Sequence, residues 1–406
     1  MEKELLLQKI EKDLNELCVQ VNHRHVGSPG NQRSTKYVAE RFSSAGLSVQ
    51  MPEFDCIDWN EGKVRLRVGS TEVQAFISPY SLSCNISCNF EAAGNLNELM
   101  SKDFTGKIAV LHGELAKEQL MPKNFIFYNP EEHQQIIKLL EEKNPMAIVT
   151  ITTKDFLAAG ALYPFPLIED GDFDIPSIYT TEEEGKKIIN HPDSIMHLSI
   201  ESFRIPSKGS NVIGFKEGQV PKKITLCAHV DTKKDTPGAL DDGTGIAVLL
   251  AVAELLKEYT GKYGVEILAF NGEDYYAASG QMQYYNQTSG QFDQIVLNVN
   301  IDGAGYKHAK TSYCTLECEG KAAEIIESVF SGNEEFVRIE PWIQGDHMIF
   351  AMNQVPAIAI ASENPYAISA EITHTPKDTL ENVDMGKVFE IAVAIKNLIE
   401  VWNKNL

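Results

Sequence analysis

The amino-acid sequence predicts an α/β fold: a mixed, mostly parallel sheet with helices on both faces, interrupted by an inserted β-rich α+β domain. Three observations carry this. From Ser210 onward, apolar strands alternate with helical segments, and continuous apolar runs of strand length belong to parallel sheets covered on both faces. From about Lys63 to about Pro206 the texture changes to short β-rich stretches around one clear helix. The length of 406 residues corresponds to two or three domains at roughly 150 residues each.

Each element has its own signal. Leu6, Ile10, Leu14, Leu17 and Val21 recur at helical spacing and predict a first helix. After the turn residues GSPGN, a second helix runs through Tyr37, Val38 and Phe42 and is stopped by Gly46 as a C′ glycine. LSVQMPEFDC reads as a strand. In the insert, KVRLRV, EVQAFI, KIAVLH and MAIVTI read as β-structure around a helix that begins at Pro130 and buries Ile136, Ile137 and Leu140. IPSIYT then precedes the acidic helix start TEEEGKKI. Beyond it come the strand KITLCAHVDT and the helix GIAVLLAVAELLKEY, then the strands VEILAFNGED, IVLNVNIDG and VPAIAIAS. A final amphipathic helix spans residues 385–402. The expected domains are therefore 1–62 with 207–406, and 63–206.

Composition removes several classes of function. Hydrophobic residues at 43% and charged residues at 23% are ordinary globular values. The 36 Lys+Arg against 57 Asp+Glu leave a net charge of −21, which repels phosphate backbones and anionic lipid, so neither nucleic acid nor a membrane surface is expected as a partner. The opening MEKELLLQKIEKDLNELC is charged and lacks the apolar stretch of a secretory signal. The longest apolar run, 245–253, is too short to span a bilayer. Seven cysteines, an odd number with no framework spacing, point to a reduced, cytoplasmic setting. A second copy of the chain stays among the candidate partners.

In such a sheet, ligands bind at the carboxyl ends of the strands, and here those ends are polar. The first finishes His229-Val230-Asp231, where period-two alternation puts both side chains on one face and lets the carboxylate orient the imidazole. PGALDDGTG follows, with Asp241 and Asp242 at a helix start. The next two strands end in Asn271-Gly272-Glu273-Asp274 and Asn300-Ile301-Asp302-Gly303, and Ile372-Thr373-His374-Thr375 lies in a loop before the last helix. Taken singly, each has a bland reading as a helix cap, a solvated turn or a solvated histidine. Their convergence does not. So many acids cannot be buried together without cations, and imidazole with carboxylate, without thiolate, suits zinc or another borderline-to-hard divalent ion. The residues alone point to a metal centre with two ions sharing a carboxylate.

In order and spacing, HVD, GALDDGTG, NGED, NIDG and THTPKDTL resemble the motifs of the co-catalytic zinc aminopeptidases of the M28 type, and HRHVGSPGNQRSTKYVAERFSSAGLSV resembles the segment that opens those domains. The resemblance covers roughly residues 20–60 and 207–400, and it implies the zinc-exopeptidase version of the predicted fold. More weakly, through DFTGKIAV and DIPSIYT, the insert resembles a protease-associated domain. Carried over by position, the resemblance makes Asp241 the bridging carboxylate. His229 and Asp302 would complete one zinc site, and Asp274 and His374 the other. Asp231 would orient His229, Glu273 would be the general base, and Asp242 would be a helix cap rather than a ligand. The family commonly has Glu-Glu where this chain has Glu273-Asp274, so the shorter Asp274 puts the second ion in question. Gln344-Gly345-Asp346-His347 resembles a further family segment, with Asp346 and His347 as supporting residues. Trp342 and Phe350 are candidates for an apolar pocket, although the core is the commoner place for any one aromatic.

The expectation is a metal-dependent exopeptidase that removes N-terminal residues from peptides. A carboxypeptidase, deacylase or glutaminyl cyclase on the same fold is the alternative within enzymes, although no Arg or Lys stands out in the strand-end motifs to hold a substrate carboxylate. A non-catalytic, receptor-like relative is the alternative outside them.

Overall fold

The computed structural model describes residues 3–123, 129–152, 168 and 171–405. The chain divides into two units, Met1–Cys56 with Lys208–Leu406, and Ile57–Ser207.

The first unit is built on an eight-stranded sheet. Its order is Ser48–Gln50, Val212–Lys216, Tyr263–Phe270, Val220–His229, Ile295–Ile301, Ala357–Ser362, Thr311–Leu316 and Phe336–Arg338. The four strands from Tyr263–Phe270 to Ala357–Ser362 run parallel, and the antiparallel pairings lie on either side of them. The sheet is mixed and mostly parallel, as the apolar runs require.

Alternation along these strands sorts the side chains between the two faces. Ile224, Leu226 and Ala228, with Val265, Ile267 and Ala269, and with Leu297, Val299 and Ile301, join a core completed by Ile246 and Leu249 of helix Thr244–Leu255 and Ile391 and Ile395 of helix Met385–Asn405. The other face carries Thr225, Cys227 and His229 and then Asn298 and Asn300, all buried. There Phe270 meets Tyr284 of helix Ser279–Thr288 edge-on, with centroids 5.4 Å apart, and Tyr284 packs on Phe350 at 5.9 Å. Phe350 is fully buried in this layer, so the expectation that it lines a pocket is corrected: an aromatic layer is needed to cover this face of the sheet.

Register sets the site. Cys227 is level with Asn300 and His229 with Phe270, so two residues beyond Cys227 and Asn300 the ends His229 and Asp302 arrive side by side.

The predicted first helix is α-helical over Lys3–Asn15 and continues as a wider coil over Glu16–Val21. The second spans Pro29–Ser44, with Ser28 capping the Asn31 N–H and Gly46 left-handed at φ +83°. LSVQMPEFDC is broken after Gln50 into two strands.

The second unit has a five-stranded sheet, Phe76–Ile77, Ser177–Thr181, Ala147–Thr152, Ile108–Leu111 and Phe90–Ala93, and helices that include Glu131–Lys143. It also contains most of a four-stranded sheet whose long strands, Glu53–Val68 and Met196–Ser210, carry the chain across the boundary at Cys56/Ile57 and Ser207/Lys208. The boundary expected at 62/63 falls inside Glu53–Val68. Gly62 lies within that strand, where a Cβ would come within 2.9 Å of the Glu201 side chain.

Candidate metal centre

His229 ends its strand, and its ring is almost wholly enclosed. Its Nε2 lies 2.9 Å from Asp241 Oδ1 and 3.8 Å from Asp302 Oδ1. On the opposite side, His374 Nε2 lies 3.0 Å from Asp241 Oδ2 and 3.0 Å from Asp274 Oδ1. The Asp241 carboxylate therefore stands between two imidazoles and offers one oxygen to each. The structure brings together His229, Asp274 and Asp302 from three strand ends, Asp241 from the turn that opens a helix, and His374 from a loop.

The supporting bonds differ from the expectation at Asp231. Its carboxylate is 3.8 Å from His229 Nδ1, and the nearer contact to that nitrogen is Asp231's own main-chain oxygen at 3.1 Å. The carboxylate instead accepts the N–H groups of Gly272, Glu273 and Asp274 at 2.7, 3.3 and 3.0 Å. Asp231 thereby moulds the NGED turn that presents Glu273 and Asp274. Gly272 makes that turn possible at φ +125°, a region closed to most side chains. Asp242 accepts the N–H of Gly245 at 3.0 Å and of His229 at 3.2 Å, so its carboxylate is occupied as a cap.

Three contributors were not singled out in the sequence. Asp378, inside THTPKDTL, is buried and accepts the N–H groups of Leu240 and Asp241 at 2.7 and 3.1 Å, which fixes the backbone at Asp241. Arg24, inside HRHVG, is buried and donates to the carbonyls of Leu17, Val230, Pro237 and Gly238 at 2.8–3.1 Å. It ties the loop between the His229 strand and Asp241 to the N-terminal segment. Lys233 lies in that loop, with Nζ 3.0 Å from the Asp274 main-chain oxygen. Motif membership was the available signal for Asp378 and Arg24; Lys233 had none.

Burial weighs against a protonated His229, but the neighbouring Asp241 and Asp302 carboxylates outweigh it and hold the ring pKa well above the ordinary imidazole value. Burial likewise opposes a charged His374, and the Asp274 and Asp241 charges reverse the balance. Burial would raise Asp241 as well, yet the two imidazoles pull it far below the usual carboxylate range. Burial drives Glu273 and Asp302 upward, and it pushes Asp346 and Asp378 up to about 7. Asp241 apart, these shifts favour positive charge or protonation at the centre, as a cluster of acids without a cation requires. His229 Nε2 and Asp274 Oδ2 are buried atoms without a satisfactory hydrogen bond. The ligand atoms of His229, Asp241 and Asp274 all lie within 4.8 Å of one another, as do those of His229, Asp242 and Asp302. This donor set fits a divalent metal of the zinc type.

The site opens into a cleft of about 140 Å³ lined by Asp241, Glu273, Asp302, Trp342, Gln344, Tyr366, Ile368, Thr373 and His374, among others, with no Lys or Arg among the described lining residues. Asp346 and His347 stand behind this wall. His347 Nε2 bonds the Trp342 main-chain oxygen at 2.8 Å and its ring meets Trp342 edge-on, while Asp346 accepts Gln281 Nε2 at 2.6 Å. Burial lowers His347 to about 4, which keeps the ring neutral.

Residues 211–399 match the family model described as Peptidase family M28. Over 398 residues the chain is 21% identical to Aminopeptidase YwaD of Bacillus subtilis, covering 92% of this chain and 80% of that protein. Among solved structures, an aminopeptidase from Aneurinibacillus sp. strain AM-1 superposes with a TM-score of 0.74 at 18% identity, over 98% of this chain and 93% of that one. BSAP, a zinc aminopeptidase from Bacillus subtilis, gives 0.75 at 18% identity, over 97% and 94%. The chain has the fold of these aminopeptidases.

Proposed function

We propose that this chain is a zinc metallopeptidase that removes N-terminal residues from peptides. The observation that carries the reading is the Asp241 carboxylate between His229 and His374, with one oxygen directed to each ring. His229 with Asp302, and His374 with Asp274, would hold two zinc ions that share Asp241. When bound, the ions supply Lewis acidity, which lowers the pKa of a water and polarises the scissile carbonyl. Glu273 lines the cleft and has its pKa raised by burial. It accepts the proton of the attacking water and passes it to the departing amine. The Asp231 carboxylate keeps Glu273 on station through the turn amides. The match to a peptidase family model over 211–399 and the aminopeptidase relatives support the same reading.

Acids at the cleft and the lack of Lys or Arg among its described lining residues favour a substrate that brings a cation, the free α-ammonium, over one that brings a carboxylate. Lys233, the basic residue nearest the ligands on the loop after the His229 strand, is turned toward Asp274. We also read the Ile57–Ser207 unit as a protease-associated-like insert on its DFTGKIAV and DIPSIYT segments, and the setting as cytoplasmic on the odd cysteine count. No helix among the described residues is long and apolar enough to cross a membrane.

The test compares one peptide with a free and an N-acetylated terminus by mass spectrometry at pH 7.5. Loss of a charge-assisted bond of roughly 1.5–3 kcal/mol should lower kcat/KM at least about tenfold for the acetylated form. Equal cleavage of both, or release of the C-terminal residue first, would sink the aminopeptidase reading. Protein that binds no metal would favour the receptor-like alternative.

A further inference from the structure

The two proposed metal positions differ in the charges around them. Asp241 and Asp302 face His229, a ring that can surrender its proton and become a ligand. Asp274 faces a similar ring, His374, at 3.0 Å, and also the Lys233 ammonium, 3.9 Å from the same oxygen Oδ1. An ammonium has no lone pair to offer while it stays charged, so it cannot join a coordination shell.

Lys233 is held in place. Its Nζ donates to the Asp274 main-chain oxygen at 3.0 Å, and its side chain is only 13% exposed. Its own main-chain oxygen accepts the Thr236 hydroxyl at 2.7 Å, closing a tight turn. Arg24 fixes the loop from both ends through the carbonyls of Val230, Pro237 and Gly238. Asp274 is also largely enclosed, with its second oxygen lacking a hydrogen bond. A fixed positive charge near a largely enclosed carboxylate is poorly screened by solvent, and it repels any cation that the carboxylate would bind.

We propose that Lys233 is a positioning residue that makes the two metal positions unequal, so that the ion held by Asp274 and His374 is the weakly bound, exchangeable one. This rests on the two-ion reading above. Lys233 acts through Asp274: it draws part of the carboxylate's charge toward itself and sets a like charge beside the incoming ion.

The experiment titrates metal-stripped wild-type protein and the variants Lys233→Met and Lys233→Arg with zinc against a chromophoric chelator. Bound zinc is counted by elemental analysis, and thermal melting confirms that each variant is folded. The wild type should show one tight and one weaker ion. Lys233→Met, which keeps the stem and removes the charge, should tighten the weaker ion at least about tenfold and leave the tight one unchanged, since about 1.4 kcal/mol corresponds to that factor. Lys233→Arg keeps the charge and should keep the wild-type pattern. If Lys233→Met binds two ions with the second unchanged or weaker, Lys233 serves only to pin the turn, and the proposal falls while the two-ion reading stands. If wild type and Lys233→Met both take up one ion or none, the two-ion reading fails and the proposal fails with it.

Discussion

Glu273, half-buried at the cleft, and His229, fully buried, both stand among acids, yet their removal should be felt differently. Glu273→Gln keeps the volume and the accepting oxygen but cannot take the proton of an attacking water. Metal content should stay at the wild-type level while kcat falls about 10²–10⁴-fold, the usual range for general-base catalysis. A variant with near wild-type kcat would place the base elsewhere. His229→Ala leaves Asp241 Oδ1 and Asp302 facing a gap where the ring stood 2.9 and 3.8 Å away, so elemental analysis should show lost metal alongside lost rate. At this scale the residue types at the strand ends were legible in the sequence, but not the atoms that meet. The spacing of His229 and Asp231 suggested a carboxylate on the imidazole; the strand ends at His229, and past that point the Asp231 side chain turns to three backbone amides instead.

Elements hold the site through long-range bonds to the backbone. Arg24 gives its guanidinium to four carbonyls spread over three segments. Hydrogen bonds to a charged group contribute about 1.5–3 kcal/mol each, and buried carbonyls left without a partner cost more than the bond itself. Arg24→Ala should therefore lower the unfolding free energy by about 3 kcal/mol or more, seen as a shifted denaturant midpoint. Arg24→Lys should recover little of it, because one ammonium cannot reproduce a planar fork. A midpoint within error of wild type would show that water replaces the side chain. Gly272 and Asp378 act on the same scale: one permits the NGED turn, the other anchors the Leu240 and Asp241 amides. The sequence placed Arg24 and Asp378 inside recognisable segments without assigning them a task, since all their partners but Leu17 lie more than a hundred residues away along the chain.

The whole molecule balances protons against metal. In the metal-free protein His229 and His374 hold protons more tightly than free imidazole does, and Asp346 and Asp378 titrate near 7. A group whose pKa rises on folding contributes stability below its unfolded value, and that contribution is lost as pH climbs through the folded one. Asp241 is depressed, so its contribution is present above the ordinary carboxylate pKa and is lost only as the solution becomes strongly acidic. The melting temperature of metal-free protein should therefore fall as pH climbs from the ordinary carboxylate range through about 7, and go on falling above that as His229 and His374 lose their protons. Zinc requires deprotonated ligands and should reverse that trend, giving its largest stabilisation at the alkaline end. A metal-free melting curve that rises with pH would contradict the proton-held centre.

Much of this protein is a matter of neighbours along the chain. Apolar runs of strand length, helical spacing in the segments around them, and polar residues where those strands stop are local patterns, and they were enough to define the mixed, mostly parallel sheet and to point at a metal centre where its strands end; the resemblance to the zinc aminopeptidases then singled out His229, Asp241, Glu273, Asp274, Asp302 and His374 among those residues. Other features depend on which distant residues meet, and local pattern carries no trace of that. Folding decided that Asp241 offers one oxygen to each histidine, that Phe350 goes to the aromatic layer while Trp342 lines the cleft, and that Glu201 passes so close to Gly62 that a side chain there would collide with it. It also decided that Lys233 comes to rest beside Asp274. Hydrophobic periodicity acts between residues a few positions apart, whereas register, hydrogen-bond partners and the charge around a buried group are set by strands that meet only once the chain has folded.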